Sequence, residues 1–136
     1  MTVYIYPMNM ETDLPRVADL LQSTGVGEDA HWETPLWQVV AVADGGAIVG
    51  YAVATRTAKM PTDHLRLRVV VDPCEQGLGI AAMLYDDLIQ FAWEIGATSI
   101  ELVGRVAVRD RVRVATRRGL RLVRSMPVRS VQCVCA

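Results

Sequence analysis

Val69-Val70-Val71-Asp72-Pro73-Cys74-Glu75-Gln76-Gly77-Leu78-Gly79-Ile80-Ala81-Ala82 is the stretch on which the fold turns. Three valines in a row fit a strand buried on both faces. Asp72-Pro73 ends that strand. Gly77 and Gly79 then let the backbone turn sharply with no side chain in the way of an approaching ligand. From Gly79 to Ile95 the apolar residues Ile80, Leu84, Leu88, Phe91 and Ile95 step by three and four, the period of a helix with one buried face. Gly96 follows where a left-handed residue closes such a helix. A strand, a glycine loop and a helix start in that order turn several unsatisfied amides, and the positive end of the helix dipole, toward one spot. That spot suits an anion, and a pyrophosphate above all. A nucleoside-triphosphate loop is disfavoured, because no Gly-Lys-Ser/Thr follows.

Upstream, Val3–Pro7 reads as a strand and Glu11–Gln22 as a helix buried along Leu14, Val17, Ala18 and Leu21. The turn-rich segment STGVGEDAHWETP separates it from a hairpin. The hairpin joins Leu36–Ala43 to Ala47–Thr55 through Asp44-Gly45-Gly46. Leu65–Val71 is the strand before the glycine loop. Downstream come a strand at Ser99–Val103, a short helix over residues 109–118 stopped by Gly119, and closing strands at Leu120–Val123 and Val128–Val134. The fold class is α/β, with a central mixed sheet flanked by helices. A dinucleotide-binding fold would carry its glycine loop after an early strand, with an acid roughly 20 residues later. The 136 residues, without repeat or linker, fit a single domain over 1–136.

Composition narrows the classes. With 51% apolar and 21% charged residues the chain is globular in type. Three cysteines, Cys74, Cys133 and Cys135, have neither the histidine partner nor the second pair of a zinc site, so no metal is expected. An odd count also speaks against a disulfide scaffold. Lacking a signal-like start or a run of about 20 apolar residues, the chain is expected to be cytoplasmic, with no membrane partner. The net charge of −1 conceals a division: residues 1–104 hold 14 acids and 5 bases, and residues 105–136 hold 9 arginines and Asp110. Arginine's planar fork suits phosphate. The acidic part would attract a cationic amine.

The pattern Gln/Arg-x-x-Gly-x-Gly/Ala is matched by Gln76 through Ala81. With the strand before it, and Arg117-Arg118-Gly119-Leu120 near the end, the chain resembles the GNAT superfamily of acyl-CoA-dependent N-acetyltransferases from residue 3 to 134. The resemblance implies a single-domain GNAT-like fold with acetyl-CoA, or another acyl-CoA, between the strands at 65–71 and 99–103. Its pantetheine arm would pair with backbone around Val69, Val70 and Val71, and its pyrophosphate would rest on the amides of Gln76, Gly77, Leu78, Gly79, Ile80, Ala81 and Ala82. Basic residues near 105–113 would meet the adenosine phosphate. The acceptor would be an amine on a small molecule or protein, and a homodimer is one candidate assembly. Three family positions differ. Val108 stands for an asparagine, Ala115 for the tyrosine that protonates the departing thiolate, and Arg66 and Arg68 occupy the strand that often supplies a glutamate base.

Other groups must then move protons. His64, with Asp63 beside it, heads the strand that leads to the loop, and a neutral imidazole accepts protons near neutral pH. The alternative for Asp63-His64 is a surface turn. Glu33 is a second candidate, acting through water, or else a helix cap. Cys74 has nothing nearby to activate it as a nucleophile. Trp32 and Trp37 either line the acceptor side or fill the core. Two other readings stand beside the enzyme: a nucleic-acid-binding or -modifying member using the arginine-rich end, and a catalytically weak or inactive acyl-CoA-binding regulatory protein.

Overall fold

The computed structural model describes residues 2–24, 33–57, 61–75, 79–104, 108–125 and 130–135. In chain order the elements are β1 (Val3–Pro7), α1 (Met10–Thr24), β2 (Glu33–Ala43), β3 (Ile48–Thr57), β4 (His64–Val71), a 3-10 turn (Pro73–Glu75), α2 (Ile80–Glu94), β5 (Ser99–Gly104), α3 (Val108–Arg117), β6 (Leu120–Ser125) and β7 (Ser130–Cys135). The strands form one sheet in the order β1-β2-β3-β4-β5-β7-β6.

Every neighbouring pair is antiparallel except β4 and β5, which run parallel. A parallel pair needs a long crossover, and α2 is that crossover. The register runs from His64↔Ser99 through Arg66↔Glu101 to Val69↔Gly104. Val70 and Val71 extend beyond it, toward the 3-10 turn.

Strand alternation sorts β4 onto two faces. Leu65, Leu67, Val69 and Val71 join the larger core with Ile80, Leu84, Tyr85, Leu88 and Ile89 of α2 and Val114 and Ala115 of α3. Val70 joins a smaller core with Val17 and Leu20 of α1 and Tyr51 and Val53 of β3. The rest of that second face on β4 is polar: His64, Arg66 and Arg68.

The elements fall close to where the sequence placed them, with local corrections. β2 begins at Glu33, three residues earlier than expected, so Glu33 opens a strand paired with Thr57 rather than lying in a loop. His64 is the first residue of β4 and is buried, so it is not part of a surface turn. In α1 the buried stripe is Val17, Leu20 and partly Leu21, while Leu14 is exposed. Leu14 lies one turn before the point where α1 meets the sheet. The helix starts on a local cap instead: the Asn9 side chain accepts from the Glu11 amide at 3.0 Å, and the Asp13 carboxylate accepts from the Asn9 amide at 2.8 Å. Ile95 is exposed as well, because α2 ends at Glu94 and the chain turns at Gly96.

Candidate active site at the β4–β5 seam

At one end of the seam β4 stops at Val71 and the chain turns before α2. Asp72 shapes that turn. Its Oδ1 accepts from the Cys74 amide at 2.9 Å, and its Oδ2 accepts from Arg16 Nη2 of α1 at 2.6 Å. These donors, the Cys74 amide foremost, hold the Asp72 carboxyl below the usual carboxylate range. Arg16 Nε also donates to the Ile48 carbonyl, so α1, β3 and the turn are tied together.

The turn delivers the chain to Gly79, which caps α2 with φ +77°, a left-handed conformation, and without a side-chain cap. Among the described residues no heavy atom would lie within 4 Å of a Cβ at Gly79, so the space beside it is open to them. The first intrahelical bond runs from the Met83 amide to the Gly79 carbonyl, which leaves the amides of Ile80, Ala81 and Ala82 without helical acceptors. α2 has no acidic residue in its first turn, so the helix itself sets no carboxylate beside those amides. Gln76, Gly77 and Leu78 lie outside the described residues, as do Trp32 and residues 105–107.

At the other end of the seam sits a polar cluster that crosses from β4 to β5. His64 Nδ1 and Ser99 Oγ share a hydrogen bond of 2.7 Å. On the other side of the ring, His64 Nε2 is buried, has no hydrogen-bond partner among the described residues and stands 4.0 Å from Glu101 Oε2. Arg66 Nε donates to the same carboxylate oxygen at 3.0 Å. Position dictates this grouping. His64↔Ser99 and Arg66↔Glu101 are register partners, and residues two apart share a face.

The expected support of His64 by Asp63 is not what the structure shows. Asp63 is exposed, and its carboxylate accepts a short hydrogen bond from the Thr98 hydroxyl, which is the main cause of its lowered pKa. Adjacent strand residues point to opposite faces, so Asp63 clamps the start of β5 while Ser99 and Glu101 flank the ring. Sequence reading missed both, because they lie 35 and 37 residues after His64 and only the parallel register unites them. A serine and a glutamate alternating on a strand gave a weak cue. Glu33 begins β2 opposite Thr57, and its side chain lies outside the described residues. The strand that faces the loop thus carries arginines, and the described carboxylate near them comes from β5.

Behind the seam, Tyr85 of α2 donates its hydroxyl to the Val103 carbonyl at 2.8 Å, and Arg111 of α3 donates to the Leu102 carbonyl at 3.3 Å. Burial pushes the Tyr85 phenol well up. Arg111 is fully buried, a correction to its reading as a phosphate contact. It lies one helical turn before Ala115 and faces inward with it. Arg117 pairs with Asp86 at 2.9 Å, and Arg118 stacks over Trp93 at 4.8 Å and donates to Gln90. Part of the arginine-rich end is therefore engaged with α2, whereas Arg113 is exposed. Trp37 stacks on Phe91 with ring centroids 5.6 Å apart and donates to Asp87, so it packs against α2 rather than on the polar face. Cys74 is an exposed free thiol in the 3-10 turn.

A mixed sheet with one parallel seam, an open helix start at one end of that seam and a buried imidazole cluster at the other define an α/β protein of the mixed-sheet type. Comparison with known proteins agrees. The family model for the acetyltransferase (GNAT) family matches residues 7–120, and the chain belongs to that family. In structure it is similar to an N-acetyltransferase from Staphylococcus aureus Mu50, with TM-score 0.71, 13% identity and coverage of 98% of this chain and 97% of the other. It is similar to a phosphinothricin acetyltransferase from Sinorhizobium meliloti in complex with AcCoA, with TM-score 0.71, 18% identity and coverage of 98% and 87%. It is also similar to a GCN5-related N-acetyltransferase from Kribbella flavida, with TM-score 0.69, 19% identity and coverage of 96% and 95%. No curated protein matches the sequence.

Proposed function

We propose that this protein transfers an acetyl or other acyl group from CoA directly to an amine on a small molecule or protein. The observation that carries the reading is the unit of β4, turn and α2 in a chain whose family match spans residues 7–120. Gly79 is open on its ligand side, and the amides of Ile80, Ala81 and Ala82 lack helical acceptors. A pyrophosphate fits such a helix start by charge and by hydrogen bonding. The acyl-CoA would supply an activated thioester. The chain's residues would hold its pyrophosphate at the α2 start and its pantetheine arm along β4 near Val69, Val70 and Val71. The solved relative with AcCoA supports this choice of cosubstrate.

His64 is the group we assign to proton removal. An amine that arrives as ammonium carries two protons more than an amide nitrogen keeps. One ends on the departing thiol and the other in solvent. An imidazole nitrogen with no hydrogen-bond partner among the described residues is suited to accept a proton from the amine and pass it on to solvent or to the departing thiolate. The thiol, with a pKa near ~8.5, leaves readily, so the alanine at position 115 slows the reaction without preventing it. Cys74 lies at the pyrophosphate turn, away from the polar cluster, and takes no acyl group in this scheme.

The test is acetyl transfer to a panel of amines between pH 6 and 9, followed by CoA thiol release and by mass of the product. Saturable, acceptor-dependent release with acetylated product is the expected result. Acetyl-CoA binding without transfer to any amine would favour the regulatory reading. Retention on duplex or single strand that falls steeply with salt, without acetyl-CoA binding, would favour the nucleic-acid reading.

A further inference from the structure

The Glu101–Arg66 pair has no part in the catalytic scheme above, yet Glu101 stands 4.0 Å from the imidazole that the scheme uses, and Arg66 shares its strand face with that ring. Glu101 is buried, and burying a carboxylate is costly unless it is paired. Its Oε2 faces two groups at once: Arg66 Nε at 3.0 Å and His64 Nε2 at 4.0 Å. The first is a formed ion pair. The second becomes one only when the ring is protonated.

We propose that Glu101 and Arg66 are a positioning pair that sets how readily His64 holds a proton, Glu101 favouring the imidazolium and Arg66 opposing it. The assignment of His64 to catalysis rests on the function proposed above; the electrostatic coupling itself does not. The physical reason is Coulombic. An opposite charge at about 4 Å favours the charged form of a partly desolvated group, and a like charge next to it works against that. Because Arg66 and His64 share one carboxylate oxygen, strengthening either contact weakens the other. Ser99 fixes the ring through Nδ1, so Nε2 is the nitrogen left to exchange a proton.

The described charged and polar groups about the ring are few. Just before β4 stands Asp63, which turns to Thr98, and on β4 stand Arg66 and then Arg68. On β5 they are Ser99 and Glu101, and on β3 Thr55 stands opposite Arg66. α1 covers the Val70 end of this face through the apolar Val17 and Leu20. The side chains of Glu33 and Thr57 and those of β7 lie outside the described residues.

The experiment follows the imidazole directly. The sequence holds two histidines, His31 and His64, so the His64 ring signal in an NMR titration is assigned by comparison with His31→Gln. The protonation midpoint of His64 should fall in Glu101→Gln and rise in Arg66→Gln. Glu101→Asp, which keeps the charge but retracts it, should lie between wild type and Glu101→Gln. A midpoint that is the same in wild type, Glu101→Gln and Arg66→Gln, or that moves in one direction for both, would overturn the proposal whether or not the protein acetylates anything. Should Glu101→Gln fail to fold, Arg66→Gln and Glu101→Asp decide the matter through their opposite signs. Measured in parallel, the pH midpoint of kcat/KM should track the NMR midpoint. A coupled NMR shift without a matching kinetic shift would remove His64 from the chemistry and leave the electrostatic pair intact.

Discussion

Gly50 of β3 lies directly beneath Leu84 of α2: a Cβ built on Gly50 would stand 2.9 Å from Leu84 Cδ1 and 3.3 Å from Ile80 Cγ2. The bare glycine lets the first turns of α2 settle onto the sheet beside Val71 and the turn at Asp72. Gly50→Ala should therefore overpack this contact and cost about 1–3 kcal/mol in denaturant unfolding. It should also weaken acetyl-CoA, because Ile80 and Leu84 set where the helix start lies. Wild-type stability in Gly50→Ala would show that α2 has slack over the sheet.

Asp72 gives an acid-side prediction. Its folded pKa is depressed, chiefly by the Cys74 amide and then by Arg16. A depressed carboxylate contributes stability above its unfolded pKa and loses that contribution as pH falls through the folded one. Wild type should lose this increment below about pH 4, and Asp72→Asn should lack it already at neutral pH. Asp72→Ala should cost about 1 kcal/mol at pH 7 as a lost cap and lower acetyl-CoA affinity more than stability. Thermal melts from pH 3 to 7, with binding isotherms at pH 7, check both parts.

Tyr51 sets the alkaline side. Burial pushes its phenol up to about 12, although Arg68 works in the other direction. A phenol whose pKa is raised on folding contributes stability that is complete below the unfolded value near 10 and is lost as pH rises toward 12. Stability should thus decline between those values, and Tyr51→Phe should flatten that decline. Chemical denaturation at several alkaline pH values is the measurement; an identical decline in Tyr51→Phe would rule Tyr51 out as its source.

Much of the fold was legible because it rests on local signals. The Val69–Val71 run, the three-and-four spacing from Ile80 to Leu88 and the glycines at the ends of α2 each act over a few residues. Leu14 and Ile95 misled, since apolar spacing continues past the point where a helix still touches the sheet. The candidate site divided in the same way. The turn at Asp72 and the helix start at Gly79 are contiguous in sequence and could be read there. The partners of His64 could not, because Ser99 and Glu101 meet it only through the parallel register. The inward turn of Arg111 was equally hidden: composition counts it with the exposed arginines, and only the packing of α3 against β6, β7 and α2, which turns Arg111 to the Leu102 carbonyl, distinguishes it.

His64→Ala and Cys74→Ala should separate the two conceivable routes of acyl transfer. His64→Ala should lower kcat/KM at neutral pH by about 100-fold or more while acetyl-CoA affinity stays within about twofold, since His64 lies at the far end of β4 from the loop. Cys74→Ala should turn over like wild type, and no acylated Cys74 should be found by mass spectrometry during catalysis. An acyl group on Cys74 that forms and decays as fast as turnover would overturn direct transfer.

If the open start of α2 binds the pyrophosphate of an acyl-CoA, calorimetric titration of the wild-type protein and of Gly79→Val with acetyl-CoA reads it out. Among the described residues a Cβ at Gly79 meets nothing within 4 Å, so the added bulk is directed at the ligand, and at φ +77° it would cost about 1–2 kcal/mol of backbone strain. Saturable binding at micromolar to sub-millimolar concentration is expected for wild type, and at least about tenfold weaker binding for a folded Gly79→Val, from the loss of about 1.4 kcal/mol or more of binding energy. No binding by the folded wild-type protein, or equal binding by Gly79→Val, would contradict it.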